Sequence, residues 1–118
     1  MSRPRTALLF PEWPKLDQEL WQAANSTGSF LEPDGKAAHW KDKTRKGVVK
    51  RYSLWLGYLA STDQLDPNKS PSERISEQTL SGYVHWLEAR GNASTTVSSC
   101  VRDLSEAVRV MEPHADRS

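Results

Sequence analysis

Apolar side chains return every three or four residues through long stretches of this chain, and no comparable run alternates with a period of two. Val48, Tyr52, Trp55, Leu56 and Leu59 follow i, i+4, i+7, i+8, i+11, the stripe that an α-helix buries on one side. Val97, Cys100, Val101, Leu104, Val108 and Met111 form a second such series. Leu80, Tyr83, Val84 and Leu87 form a third, and Leu16, Leu20, Trp21 and Ala24 a fourth. Helices striped in this way must cover one another, and 118 residues suffice for one respectable core. The expected fold is a compact all-α bundle of four or five helices.

Turn chemistry sets the boundaries. Residues 1–13 carry Pro4 and Pro11 and read as an irregular arm, while Pro14 suits a helix start because its missing N–H costs nothing there. A first helix is therefore expected over Pro14–Ala24, then a turn-rich loop from Asn25 to Gly35 that carries Phe30 and Leu31 inward. The second helix is expected from about Lys36 to Ala60, with Gly47 inside it marking close packing or a slight bend. Pro67 and Pro71 break the chain before a third helix capped by Ser76, with Ile75 and Leu80 as its hydrophobic staple. Gly91 is placed to end that helix. The last helix should run from near Ser94 to near Met111, ahead of Pro113. This divides the chain into an arm with one short helix (1–35), a helical domain (36–113) and a tail (114–118).

Several chemistries find no basis. The single Cys100 builds neither a disulfide framework nor a zinc site, and its helical spacing makes it a small core residue. His39, His85 and His114 are too scattered for a metal cluster or a catalytic triad and read as surface residues. There is no glycine-rich phosphate loop. No cofactor, metal or small-molecule substrate is expected, and no residue constellation supports catalysis. No apolar run is long enough to cross a membrane and no signal segment opens the chain, so a soluble, cytoplasmic protein is expected. Trp21 and Trp55 are expected in the core, and Trp13, Trp40 and Trp86 in the core or at an interface.

Charge is placed rather than abundant. The net charge is only +1, yet Lys36, Lys41, Lys43, Arg45, Lys46, Lys50 and Arg51 gather around a single acid, Asp42. On a helical wheel Lys43, Lys46 and Lys50 point away from the Val48–Leu59 stripe, while Arg45 and Arg51 flank it. An ordinary solvated face is the plain alternative. Such a face usually mixes Glu with Lys, however, and here only Asp42 is available, which favours a row of phosphates as partner. A second candidate surface opens the last helix. There Ser94, Thr95 and Ser98 surround the positive end of the helix dipole, and Arg102 shares the face of Thr95 and Ser98. Short hydroxyl side chains let a helix end approach a DNA backbone, although simple N-capping by Ser94 explains the composition equally well.

The run KTRKGVVKRYSLWLGYLASTDQLDP, followed by RISEQTLSGYVHWLEARGNASTTVSSCVRDLSEAVRVMEP, resembles the N-terminal core-binding (SAM-like) domain of phage integrases, the tyrosine recombinases. Thr44, Val48, Tyr52, Trp55 and Leu56 match the family's early basic and aromatic helix. Ile75, Ser76, Tyr83 and Leu87 match its short middle helix, and Ser94, Thr96, Val97, Val101 and Leu104 its hydroxyl-led last helix. The likeness covers roughly 37–113, and the first helix fits an additional N-terminal helix seen in some integrases.

The resemblance implies a SAM-like bundle that clamps duplex DNA at a recombination site, with Lys41, Lys43, Arg45, Lys46, Lys50, Ser94, Thr95, Ser98 and Arg102 as contact candidates. Strand cutting in that family belongs to a separate catalytic domain carrying Arg, Lys, His and a nucleophilic Tyr, expected to begin where this chain ends. Tyr52, Tyr58 and Tyr83 fall within the bundle and do not match that nucleophile. The implied partners are double-stranded DNA and other recombinase protomers, without a membrane or a small-molecule substrate. The competing expectation is a helical protein-interaction module, motivated by the tryptophans and the apolar Leu8, Leu9 and Phe10 of the arm.

Overall fold

The structure is a computed structural model that describes residues 7–25 and 40–112. Four α-helices carry the fold: α1 (Lys15–Ala24), α2 (Asp42–Ser61), α3 (Glu77–Ala89) and α4 (Ser94–Met111). Two single 3-10 turns, Phe10–Glu12 and Ser72–Arg74, precede α1 and α3, and no strand is present among the described residues. The all-α expectation holds.

The helix ends follow local chemistry. Ser76 Oγ accepts the Thr79 N–H at 3.1 Å while Thr79 Oγ1 accepts the Ser76 N–H at 2.8 Å, a reciprocal cap on α3. At the other end Gly91 takes φ 87°, and the Gly91 and Asn92 N–H groups donate to the carbonyls of Glu88 and Leu87. That Schellman closure needs a left-handed residue, which glycine supplies without strain. The same closure ends α2, where Asp63 and Gln64 donate to Ala60 and Leu59, but the left-handed residue (φ 62°) is Asp63.

One boundary and one cap differ from expectation, while α4 spans Ser94–Met111 as expected. The second helix starts at Asp42, because Trp40 leaves the helix axis to pack on Trp21 and Lys41 is extended (φ −67°, ψ 151°). Lys36 to His39, like Phe30 and Leu31, lie outside the described residues. Ser94 does not cap α4: the N-cap is Ala93, which offers no side-chain acceptor.

α4 is the central post. Leu104, Ala107 and Val108 are fully buried, and α1, α2 and α3 all pack against it. α2 lies antiparallel to α4. Arg51 reaches Cys100 and Asp103, whereas Thr44 and Val48 share a cleft with Glu106 and Arg109. Tyr52, Trp55, Leu56 and Leu59 fill the core from α2, and Tyr83 and Leu87 from α3, as their spacing demands. Cys100 is fully buried.

The arm is not irregular throughout. Phe10–Glu12 forms a 3-10 turn, the Leu8 N–H donates to the Ser53 carbonyl, and buried Trp13 donates Nε1–H to Ser53 Oγ at 3.0 Å. Rings from separate segments then meet, with Trp13 lying 4.8 Å from Phe10, 5.0 Å from Tyr52 and 6.4 Å from Trp21. Such tilted and edge-on aromatic contacts add to the area that they bury.

On α1 the inward face is not the purely apolar one. Leu16 is exposed, and Asp17 is fully buried. Asp17 Oδ2 accepts from Arg74 Nη1 at 2.6 Å and from the Tyr52 hydroxyl at 2.5 Å, and Arg74 Nε donates to the Asp66 carbonyl at 3.2 Å. A buried carboxylate persists because the guanidinium compensates it. The trio ties α1, α2 and the linker into one body.

Candidate nucleic-acid interface

The core contacts of α2 fix its rotation, and that decides where its lysines go. Val48, Tyr52, Trp55 and Leu59 are inside, so Lys43, Lys46 and Lys50 emerge on the far side, all exposed. Lys41 is exposed at the N-cap. Among the described residues no carboxylate pairs with any of the four. Lys43 also stands in the first turn, at the positive end of the helix dipole, where a cation is unfavourable by about 0.3–1 kcal/mol. An arrangement selected for stability alone would place acids there.

Arg45 has a different occupation. Its Nε donates to Asn25 Oδ1, Nη1 to Asp42 Oδ1 at 2.9 Å and Nη2 to the Trp40 carbonyl at 3.1 Å. Half-buried, it clamps the entrance of α2 to the end of α1, so the structure gives this candidate an architectural role. Arg51 is likewise turned inward, its Nη1 donating to Cys100 Sγ at 2.9 Å and its Nε lying 4.0 Å from Asp103 Oδ2.

On α4, Ser94, Thr95 and Ser98 are exposed. The first turn carries no acid and no side-chain cap, so its N–H groups face outward. Arg102 is 69% exposed, with Nε 3.5 Å from Asp103 Oδ1. Between α2 and α4 lies an open cleft of about 290 Å³ lined by Trp40, Thr44, Val48, Arg102, Asp103, Glu106 and Arg109. The cleft is self-neutralised: Arg109 holds Glu106 at 2.6 Å, and Asp103 sits between Arg51 and Arg102.

Antiparallel packing separates the two candidate surfaces along the bundle. Arg51 marks the level of Cys100–Asp103. Lys43 is about 12 Å from that level in one direction and Ser94 about 10 Å in the other, at 1.5 Å rise per residue. The candidate contacts from Lys43 to Ser94 thus spread over about 20 Å, the rise of roughly six base pairs of duplex DNA, and the basic side chains among them over about 12 Å. Lys50 and Arg102 stand near the middle; Ser94 and Thr95 stand apart from Lys43 and Lys46.

Arg109 and Trp40 belong to this surface and were not singled out as contacts from the sequence. The available signal was the i, i+7 spacing of Arg102 and Arg109 on α4. His85 is exposed, His39 and His114 lie outside the described residues, and no cluster of metal-ligating side chains occurs among those described. None of the described helices is long and apolar enough to cross a membrane.

No family model matches the chain, and comparison with curated proteins and with solved structures gave no match.

Proposed function

We propose that this chain is a non-catalytic DNA-binding module, the core-binding domain of a site-specific tyrosine recombinase, acting on duplex DNA in the cytoplasm. The observation that carries the reading is the row Lys43, Lys46 and Lys50: exposed, without carboxylate partners among the described residues, and held on a helix whose opposite face is locked in the core. Ammonium groups in such a row act as point charges on phosphates and release counterions when DNA binds. Exposed Arg102, near the level of Lys50, and the first turn of α4, free of acids and side-chain caps and about 20 Å from Lys43, supply further phosphate donors.

The recombinase assignment rests on the resemblance of the helix order and motifs, and the DNA assignment on the charge. The protein-interaction reading draws less support. Leu8 and Phe10 of the arm pack onto the core, leaving Leu9 and Leu16 as the exposed large hydrophobics among the described residues.

The test is a salt titration of binding to a mixed-sequence duplex, followed by fluorescence anisotropy. Log affinity should fall linearly with log salt, by about 0.9 per phosphate neutralised. Replacing Lys43, Lys46 and Lys50 together by Ala should flatten that slope by roughly 2.7. An unchanged slope would remove the lysine row from the interface.

A further inference from the structure

Gly47 sits in the interior of α2, where glycine weakens a helix relative to alanine. The usual reason to keep one is a neighbour that leaves no room for a side chain. Gly82 has that reason, because a Cβ there would run into the Tyr58 hydroxyl. Gly47 has none: a Cβ built on it meets nothing within 4 Å among the described residues. Its backbone is helical, without the left-handed conformation that only glycine adopts easily. Nothing among the described residues accounts for the missing side chain.

Its surroundings point outward. Lys43 and Lys50 are the i−4 and i+3 neighbours of Gly47 and so flank it on one face of the helix, with Lys46 beside them. All three are exposed, and none has a carboxylate partner among the described residues. The face therefore presents bare backbone between two ammonium groups. Across it lies the α2–α4 cleft, whose acids Asp103 and Glu106 are already neutralised by Arg51, Arg102 and Arg109. A polyanion gains more on the lysine ridge than on the mixed floor of that cleft.

Building on the DNA-binding reading, we infer that Gly47 is the point of closest approach, where a sugar-phosphate strand lies directly against the backbone of α2 between Lys43 and Lys50. A methyl group at this position keeps the strand off the helix and lengthens both lysine contacts.

The experiment uses the full chain and a fluorescein-labelled duplex of about 30 base pairs of mixed sequence, with anisotropy read across a salt series. Gly47→Ala should unfold at a higher urea concentration than the parent, so that weakened binding cannot be blamed on misfolding. Its affinity for the duplex should drop several-fold. Gly47→Leu should lose at least tenfold and about one unit of salt slope, as one phosphate contact goes. Ala60→Leu, an exposed change near the other end of α2, should leave binding as it was. If the parent binds with the expected slope while Gly47→Leu binds equally well, the close approach at Gly47 is wrong and the DNA reading stands. If the parent does not bind duplex DNA at low salt, both are wrong.

Discussion

Removing the Arg74 guanidinium strands a carboxylate in the core, and the cost follows from the geometry around it. The Arg74 side chain is 1% exposed and that of Asp17 0%, so solvent screens neither. In Arg74→Met, Asp17 keeps the Tyr52 hydroxyl but loses the 2.6 Å charge pair. Breaking a buried pair from one side costs about 3–5 kcal/mol, against a total stability of about 5–15 kcal/mol for a domain. With a urea m-value of about 1.5 kcal/mol/M, the midpoint should fall by roughly 2–3 M. Asp17→Leu should cost a similar amount, because it strands the guanidinium instead.

The double variant separates this account from a loss of packing. Asp17 Oδ1 and Arg74 Nη2 are buried without a hydrogen-bond partner, so the pair is incompletely satisfied even when intact. Asp17→Leu combined with Arg74→Met removes both charges and both unpaired atoms. It should recover most of the loss and come within about 1 kcal/mol of the parent. The assay is urea unfolding followed by tryptophan fluorescence, with the coupling taken from the cycle of four proteins. Single losses below about 1 kcal/mol, or a double variant no more stable than the singles, would refute the argument.

Replacing Lys43, Lys46 and Lys50 by Ala should leave the urea midpoint nearly unchanged, each change being worth under about 0.5 kcal/mol, and a large drop would mean that they hold the fold. Gly47→Ala should stabilise by about 0.5–1 kcal/mol, whereas Gly82→Ala should cost about 1–3 kcal/mol as its Cβ displaces the Tyr58 ring; equal urea midpoints would contradict the packing. Asp63→Gly should raise the unfolding free energy by up to about 1 kcal/mol, read as a higher urea midpoint, because glycine takes the left-handed closure of α2 without strain. Burial, and then the Asp17 charge, raise Tyr52 well above the ordinary 10.0, and burial with the neighbouring Cys100 raises Tyr83. A raised folded-state value means that the native state keeps protons the unfolded chain gives up. Stability should therefore be level below about pH 10 and fall as pH climbs beyond it, with the slope reduced in Tyr83→Phe.

Periodicity carried most of the fold. The stripes of α2 and α4 went inside, Cys100 included and half-buried Val101 excepted, because a helix of fixed pitch has only one way to bury residues spaced at three and four. Caps were legible where the signal is local: Ser76 and Gly91 act within a turn of their own helix. Asp17 was not legible. Its burial depends on Arg74, which is distant in the chain, and a charged residue beside Leu16 and Leu20 carries no mark of a partner so far away. The docking of Trp13 on Ser53 was hidden for the same reason.

For the candidate interface, the sequence by itself determined that Lys43, Lys46 and Lys50 share a face opposite the core, since helical geometry depends only on spacing. It did not decide that Arg45 is spent on Asn25, Asp42 and the Trp40 carbonyl, or that the hydroxyl end of α4 stands about 20 Å from Lys43. Those depend on which helices meet and in which direction they run. Only the packed core, through Arg51 against Cys100 and Asp103, set α2 antiparallel to α4 and gave the charges their positions.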